Sequence, residues 1–433
     1  MIQKLTIKNF LSFKDEVTFS FEASNDRFAE DYQVVKINDN TRLLRFAIVY
    51  GYNASGKSNL LYAFDFLYHF WFNSTKDPDQ ATQVEPFKLD QISVTKPTMF
   101  DLIFWVSKTK YRYQLELDRN QVYLEKLSYY ENTQPTMLFK RFLDNNRSVI
   151  EFGSSSKLKV SEAVRETIEL NCLKNMSFFA ARRKVNAIIP FVDTATDYLI
   201  KNFIEMIAPD TKLTNYALRK IVDDNELTSY LVNFLNAVDF NITDIKTNVT
   251  KKPIPNDLFE SLFANDVAAN LKKYVSDVNV SDKAFYTKID AFFEHTVENE
   301  NGKESYQFKL GKDKESQGTI RIFGMEAALY NALKKNAFLA IDEIETSLHP
   351  KLLERMIFEF LKANSTSQLI VTTHNDGLLD LINNLIRKDS VWFTEKKKSG
   401  VTDLYKLTDF RGVNRLSSIR EAYRNKRFGA TMN

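Results

Sequence analysis

The stretch VYGYNASGKSNLLYAF, Val49 to Phe64, narrows the folds open to this chain more than any other. Gly51, Gly56, Lys57 and Ser58 form glycine, four residues, then Gly-Lys-Ser, a spacing that works only where a strand turns sharply into a helix. The flanking residues predict that context, with a strand over Leu44 to Tyr50 and a helix from Lys57. In it, the exposed amides of Gly51, Tyr52, Asn53, Ala54, Ser55 and Gly56 would cradle a phosphate, with Asn59 just inside the helix. The Lys57 ammonium would reach the outer phosphates and the Ser58 hydroxyl would ligate Mg²⁺. Only 11 glycines occur in 433 residues, so two at this spacing are not loop filler.

A hydrophobic content of 44%, with 13% aromatic, is enough for a large buried core. Charge is nearly balanced, 59 Lys and Arg against 56 Asp and Glu, so nucleic acid could be held only by local patches. The one cysteine, Cys172, excludes an intrachain disulfide and a multi-thiolate metal site. MIQKLTIKNFLSF alternates polar and apolar residues and reads as a strand, not a leader, and no apolar run reaches the roughly 18 residues of a membrane span. A soluble, cytoplasmic protein without a membrane partner is expected.

The order of elements predicts an α/β fold divided in sequence. Residues 1–155 read as a first lobe, with strands over Lys4–Phe10 and Val17–Phe21 and then a meander over Thr98–Val106, Lys110–Leu117 and Gln121–Tyr130, turned at Asp118 to Asn120. Residues 156–304 read as a mostly helical insertion for dimerisation, sensing or effector binding, with Tyr198, Leu199, Phe203, Ile204 and Ile207 on one helix face. The stretch Val249 to Pro255 is mildly linker-like. Strand and helix alternate again over residues 305–433, where Ala337–Ile341 and Leu369–Thr373 suit buried parallel strands.

Both of these strands end in chemistry-bearing side chains. FLAIDEIETSLHP places Asp342 and Glu343 at a strand end, where adjacent side chains point opposite ways, so Asp342 suits the Mg²⁺ shell and Glu343 the attacking water as general base. LIVTTHND ends the next strand in His374, one of 4 histidines, placed to hydrogen-bond beside a γ-phosphate. His349 is a weaker neighbour. In KESQGTIRIFGMEAALYNAL, Ser316 and Gly318 precede a helix from about Thr319 to Lys334, whose free N–H groups would attract phosphate.

Together these residues resemble the ATP-binding cassette (ABC) type ATPase head of the SMC/RecF class. The correspondence runs through the phosphate loop Gly51 to Ser58, a signature at Ser316 and Gly318, the Asp342–Glu343 pair, a dimer-contact loop at Ser347 to Pro350 and the switch His374. More narrowly, NFLSFKD, GYNASGKSNLL, IDEIETSLHP and the tail SSIREAYRNKRFGA are similar to ATP-binding proteins of bacterial phage-defence operons, the RloA and abortive-infection type, with relatives in PARIS and Septu systems. The signature is ESQG instead of the fuller LSGG, and Gln83 and Gln91 are the candidates for a glutamine loop.

The resemblance implies a P-loop head, a mixed sheet flanked by helices with an antiparallel β subdomain. It also implies ATP and Mg²⁺ as cofactors, catalysis by Glu343, His374 and Lys57, and a homodimer or higher oligomer in which Ser316 acts on the partner copy's nucleotide. It further implies a sensor that controls a separate effector, such as a TOPRIM or HNH nuclease, in response to nucleic acid or a phage-encoded trigger. The rival reading is a RecF-like repair or recombination ATPase acting directly on DNA. Two basic sets could contact a partner: Arg182, Arg183 and Lys184, and Arg411, Arg415, Arg420, Arg424, Lys426 and Arg427 of the tail. A solvated face or internal ion pairs would explain both sets equally.

Overall fold

The computed structural model describes residues 1–154, 158–238, 241–253, 285–298 and 305–431. Packing divides the chain into two compact units, one of Met1–Thr211, Asn331–Thr346 and Leu353–Asn433, the other of Lys212–Tyr330 and Ser347–Leu352.

In the first unit the strands run, in chain order, β1 (Ile2–Lys8), β2 (Val17–Ser20), β3 (Val34–Asn38), β4 (Thr41–Leu44), β5 (Phe46–Tyr50), β6 (Thr98–Val106), β7 (Thr109–Leu117), β8 (Val122–Tyr130), β9 (Pro135–Asp144) and β10 (Arg147–Phe152). An antiparallel sheet of order β10-β9-β8-β7-β6-β1-β2 contains the expected meander. The hairpin β9–β10 extends it beyond that expectation. Its turn, Asn145–Asn146, has two positive φ angles of 47° and 64°, as a tight two-residue connection requires.

Where one strand was expected over Leu44 to Tyr50, Arg45 divides two. Arg45 is 3% exposed. Its guanidinium leaves the strand line to donate to the Phe360, Leu361 and Ala363 carbonyls at the end of the helix Pro350–Lys362, and to Tyr32 O. Those carbonyls have no partner inside their own helix, and a cation suits that end of its dipole. Burial pushes the guanidinium down to about 10.

The second unit holds β11 (Ile242–Pro253), β12 (Phe285–Glu298) and β13 (Ser305–Gly311), an antiparallel three-stranded sheet. With it come the helices Leu213–Asp223 and Asn225–Ala237 and most of Gln317–Lys335. The expected helical insertion is therefore helical only as far as residue 238 among the described residues. Beyond it, Ile245 and its cross-strand partner Phe293 are buried with Ala291, while Phe292 between the last two is exposed, a period-2 pattern that wins over the charged, helix-like composition. Val249–Pro253, expected as linker, lie in β11, and residues 254 and 255 fall outside the described residues.

A mixed sheet of order β14-β15-β5-β16-β17 completes the first unit, with β14 (Phe338–Ile341), β15 (Gln368–Thr373), β16 (Val391–Lys396) and β17 (Thr402–Lys406). β14, β15, β5 and β16 are parallel, β17 antiparallel. Register aligns Thr373 with Tyr50 and Val371 with Ile341, so β5, β14 and β15 end together along one edge. In parallel sheets that edge is where ligands bind.

A correction falls beside it. The helix Val192–Asn202 stops before Phe203, and residues 203–207 bridge in parallel to Phe338 and Ile341 with Ile204 and Ile207 N–H groups donating to Phe338 and Ala340. Phe203 packs its ring 4.6 Å from Phe338 instead of continuing a helical face. The helix Lys57–Phe72 is apolar nearly all round because it is covered on several sides, with Leu60, Leu61, Phe64, Leu67 and Trp71 all buried. Each large side chain so buried contributes on the order of 2–3 kcal/mol. Among the described residues no helix is long and apolar enough to cross a membrane.

Candidate functional site

Three loops leave the aligned edge: Gly51 after β5, Asp342 after β14 and His374 after β15. The first is buttressed from below. Ser55 Oγ lies 2.8 Å from Thr394 Oγ1, and Thr402 Oγ1 donates to Ser55 O at 2.9 Å and meets Ser12 Oγ at 2.8 Å. Asn59 Nδ2 donates to the same Ser12 hydroxyl, and Tyr52 OH to Lys396 O in the β16–β17 hairpin. Asn53 and Ala54 are exposed at the loop tip.

The two glycines are dictated by this packing. At Gly51 a Cβ would stand 2.3 Å from Ser55 Oγ and 2.7 Å from Thr394 O, and Gly56 has φ +103° with Thr402 Oγ1 2.5 Å from the same point. Gly51→Ala must move the loop backbone, because Thr394 O cannot rotate away. ATP affinity of that variant should fall at least roughly tenfold, read by titration with a fluorescent nucleotide; unchanged affinity would show that the loop does not hold the phosphates.

Lys57 is 4% exposed, and its Nζ donates to Gly51 O at 2.8 Å and Tyr52 O at 3.2 Å. Burial pushes its ammonium down to about 8, against the pull of Asp342, Glu343 and Glu345. Ser58 Oγ donates to Asp342 Oδ1 at 3.1 Å. Thr372 Oγ1 donates to the same oxygen at 2.5 Å and accepts the Glu343 N–H at 2.8 Å. Thr372 thus joins both carboxylate residues, a role visible in the sequence only as the polar end of a buried strand.

β14 ends at Ile341, so Asp342 and Glu343 do not alternate as strand neighbours. Glu343 instead takes φ 45°, a left-handed conformation costing a non-glycine residue about 1–2 kcal/mol, and this re-aims its side chain. Its Oε1 lies 3.5 Å from His374 Nε2, while His374 Nδ1 lies 3.4 Å from Lys57 Nζ. Lys57, Glu343 and His374 therefore meet in one place beside Ser58 and Asp342.

Ser316 and Gly318 lie in the second unit. Ser316 Oγ accepts the Thr319 N–H at 3.0 Å, capping a helix that starts at Gln317, two residues before the expected Thr319. A Cβ on Gly318 would approach Ser347 O to 3.3 Å. His349, in the same unit, accepts the Lys351 N–H through Nδ1 at the start of its own helix, a capping contact. Gln83 and Gln91 are exposed, the first in a loop at φ 67°, the second opening a one-turn helix.

Of the basic sets, Arg182 is buried and spent on Val185 O, Ala187 O and Asp193. Arg420 and Arg424 pair with Asp376, and Arg420 also with Asp380. Arg411 and Arg415 line an open groove of about 1100 Å³ with Lys388 and Asp26.

The family described as "AAA domain, putative AbiEii toxin, Type IV TA system" matches residues 46–380. No curated protein sequence matches the chain. Among solved structures, the SMC head domain from Thermotoga maritima is similar at 14% identity and a TM-score of 0.40, over 94% of this chain and 98% of that one. An SMC head bound to the C-winged helix domain of ScpA is similar at 12% identity and a TM-score of 0.42, over 94% and 99%.

Proposed function

The chain belongs to the AAA-domain family of AbiEii-toxin type, and from that premise we propose that it hydrolyses ATP as the regulatory component of a bacterial anti-phage, abortive-infection system. It pairs with a second copy around the nucleotide and controls a separate effector, such as a TOPRIM or HNH nuclease, in response to nucleic acid or a phage-encoded trigger.

The observation that carries hydrolysis is the meeting of Ser58, Asp342, Glu343, His374 and Lys57 at the common end of three parallel strands. Ser58 and Asp342 set two hard oxygens side by side, which fits Mg²⁺, an ion that takes few protein ligands and otherwise keeps water and phosphate oxygens. When bound, it supplies positive charge against the terminal phosphates. Lys57 exchanges its carbonyl partners for phosphate oxygens. Glu343, partly exposed and aimed by its left-handed backbone, accepts a proton from water, and His374 donates to a phosphate oxygen from between Glu343 and Lys57.

Supporting the second copy is Ser316, whose hydroxyl and helix N-terminus offer donors for phosphate. The regulatory role draws on the type IV toxin–antitoxin description of the family and on the tail and loop sequences. Shared sites make a specific demand: Lys57→Ala and Ser316→Ala chains, each inactive alone, should regain part of the ATPase rate when mixed, because a mixed pair holds one intact site. No recovery at any ratio, with both variants folded, would sink the shared-site reading. Purification from the native host with no stoichiometric companion, before and after phage challenge, would count against the effector.

A further inference from the structure

We propose that Glu345 is a positioning residue for His374, holding the backbone from which the imidazole reaches Lys57 and Glu343; this rests on the reading of His374 given above. The β15–β5 ladder ends at the pair Thr373–Tyr50, so the next N–H along β15, that of His374, has no strand partner. Glu345 supplies one, its Oε1 accepting that N–H at 2.5 Å. An N–H left over at a strand end needs an acceptor, and one that reaches it fixes that point of the backbone.

The carboxylate is set there by the loop itself. Glu343 N–H is held by Thr372 Oγ1 and Ile344 N–H by Thr372 O at 3.1 Å, while the Ile344 side chain is fully buried, so Glu345 is delivered to the next rung. Its second oxygen, Oε2, is buried with no hydrogen-bond partner. Burying an unused acceptor costs free energy, so the carboxylate is held there by the loop and not by a partner for that oxygen.

Beyond the ring, Asn375 N–H is held by Thr373 Oγ1, and Asp376 by Arg420 at 3.0 Å and Arg424 at 2.5 Å from the tail helix Ile419–Arg424. With that side anchored, Glu345 is the fixing point on the other. Contacts of 3.4 Å to Lys57 and 3.5 Å to Glu343 leave little room for a backbone shift. A misplacement of about 1 Å can cost a hundredfold in rate.

The test compares full-length Glu345→Ala, Glu345→Asp and Glu345→Gln with wild type under saturating Mg-ATP. Ala removes the acceptor, Asp withdraws it by one methylene while keeping the charge, and Gln keeps an acceptor oxygen without the charge. Ala and Asp should lower kcat roughly ten- to a hundredfold with KM within about twofold, and Gln should restore most of the rate.

A second readout needs no turnover: ring-carbon NMR of the four histidines, with the His374 signal identified by its loss in His374→Ala. Glu345→Ala and Glu345→Asp should shift that signal and leave His69, His295 and His349 in place, while Glu345→Gln should leave all four. An unmoved His374 signal in the Ala and Asp variants overturns the proposal. So does a kcat loss in Gln equal to that in Ala, which would make the charge of Glu345 the agent. A wild-type chain that does not hydrolyse ATP would sink the reading of the site instead, and the NMR comparison would still decide whether Glu345 places the ring.

Discussion

Glu343→Gln should lower kcat by roughly 10²–10⁴-fold while leaving nucleotide affinity within a few-fold, the span expected for loss of a general base. Gln has nearly the shape of Glu, so the turn that holds Glu343 at φ 45° and the bond from its N–H to Thr372 survive. What disappears is the proton acceptor beside His374. A closed pair that forms on ATP and opens on hydrolysis should then accumulate, and light scattering with Mg-ATP should show a doubled mass for the variant where wild type cycles. Identical masses in every nucleotide condition would contradict the paired-copy reading. An unchanged rate would remove Glu343 from the chemistry.

The largest effect on stability is expected at Arg141→Met. Arg141 and Glu125 are both 0% exposed, with Nη1 and Oε2 3.6 Å apart on neighbouring strands β9 and β8. Glu125 also accepts from Tyr113 OH at 2.9 Å, Ser177 Oγ at 2.6 Å and Phe178 N–H at 2.7 Å. Arg141 donates to Ser148 Oγ and to the Leu173 and Lys174 carbonyls. The network ties the seven-stranded sheet to the chain before the helix Phe178–Arg182. Removing the arginine leaves a buried carboxylate without its counter-charge, a loss of about 3–5 kcal/mol.

Glu125→Gln added to Arg141→Met should recover part of that loss, since no charge then remains to be buried. Burial already holds the Glu125 carboxyl above its usual range, with Arg141 pulling it back. A carboxyl raised in the folded state favours folding at low pH and loses that contribution as pH rises through its folded value. Without Arg141 that value moves further up, so the deficit of Arg141→Met should widen from mildly acidic to neutral pH. Thermal unfolding midpoints of wild type and both variants across that range check the sign, and a deficit that narrows would refute it.

The α/β class, the meander and its turn were legible because their signals are local: an apolar run before a glycine-rich loop, alternation over β6 to β8, an Asp-Arg-Asn turn. Lys57, Ser58, Asp342, Glu343 and His374 could be named because each ends or follows a short buried strand. Thr372 and Glu345 could not, since their partners are 30 and 29 residues away and a threonine in a strand or a glutamate in a loop looks ordinary in isolation. The helical expectation beyond residue 238 failed where composition was allowed to outweigh alternation. Phe203 to Ile207 failed differently, because a free sheet edge beside β14 offered backbone hydrogen bonds that periodicity cannot foresee.

Spacing and strand context alone determined that this chain carries a phosphate-binding loop and which side chains stand at its strand ends. Folding decided which of those ends come together, through the parallel register of β5, β14 and β15, and how Glu343 and His374 are aimed. The reason is geometric: a strand's chemistry is written along the chain, but register and a left-handed turn depend on partners that only folding brings alongside.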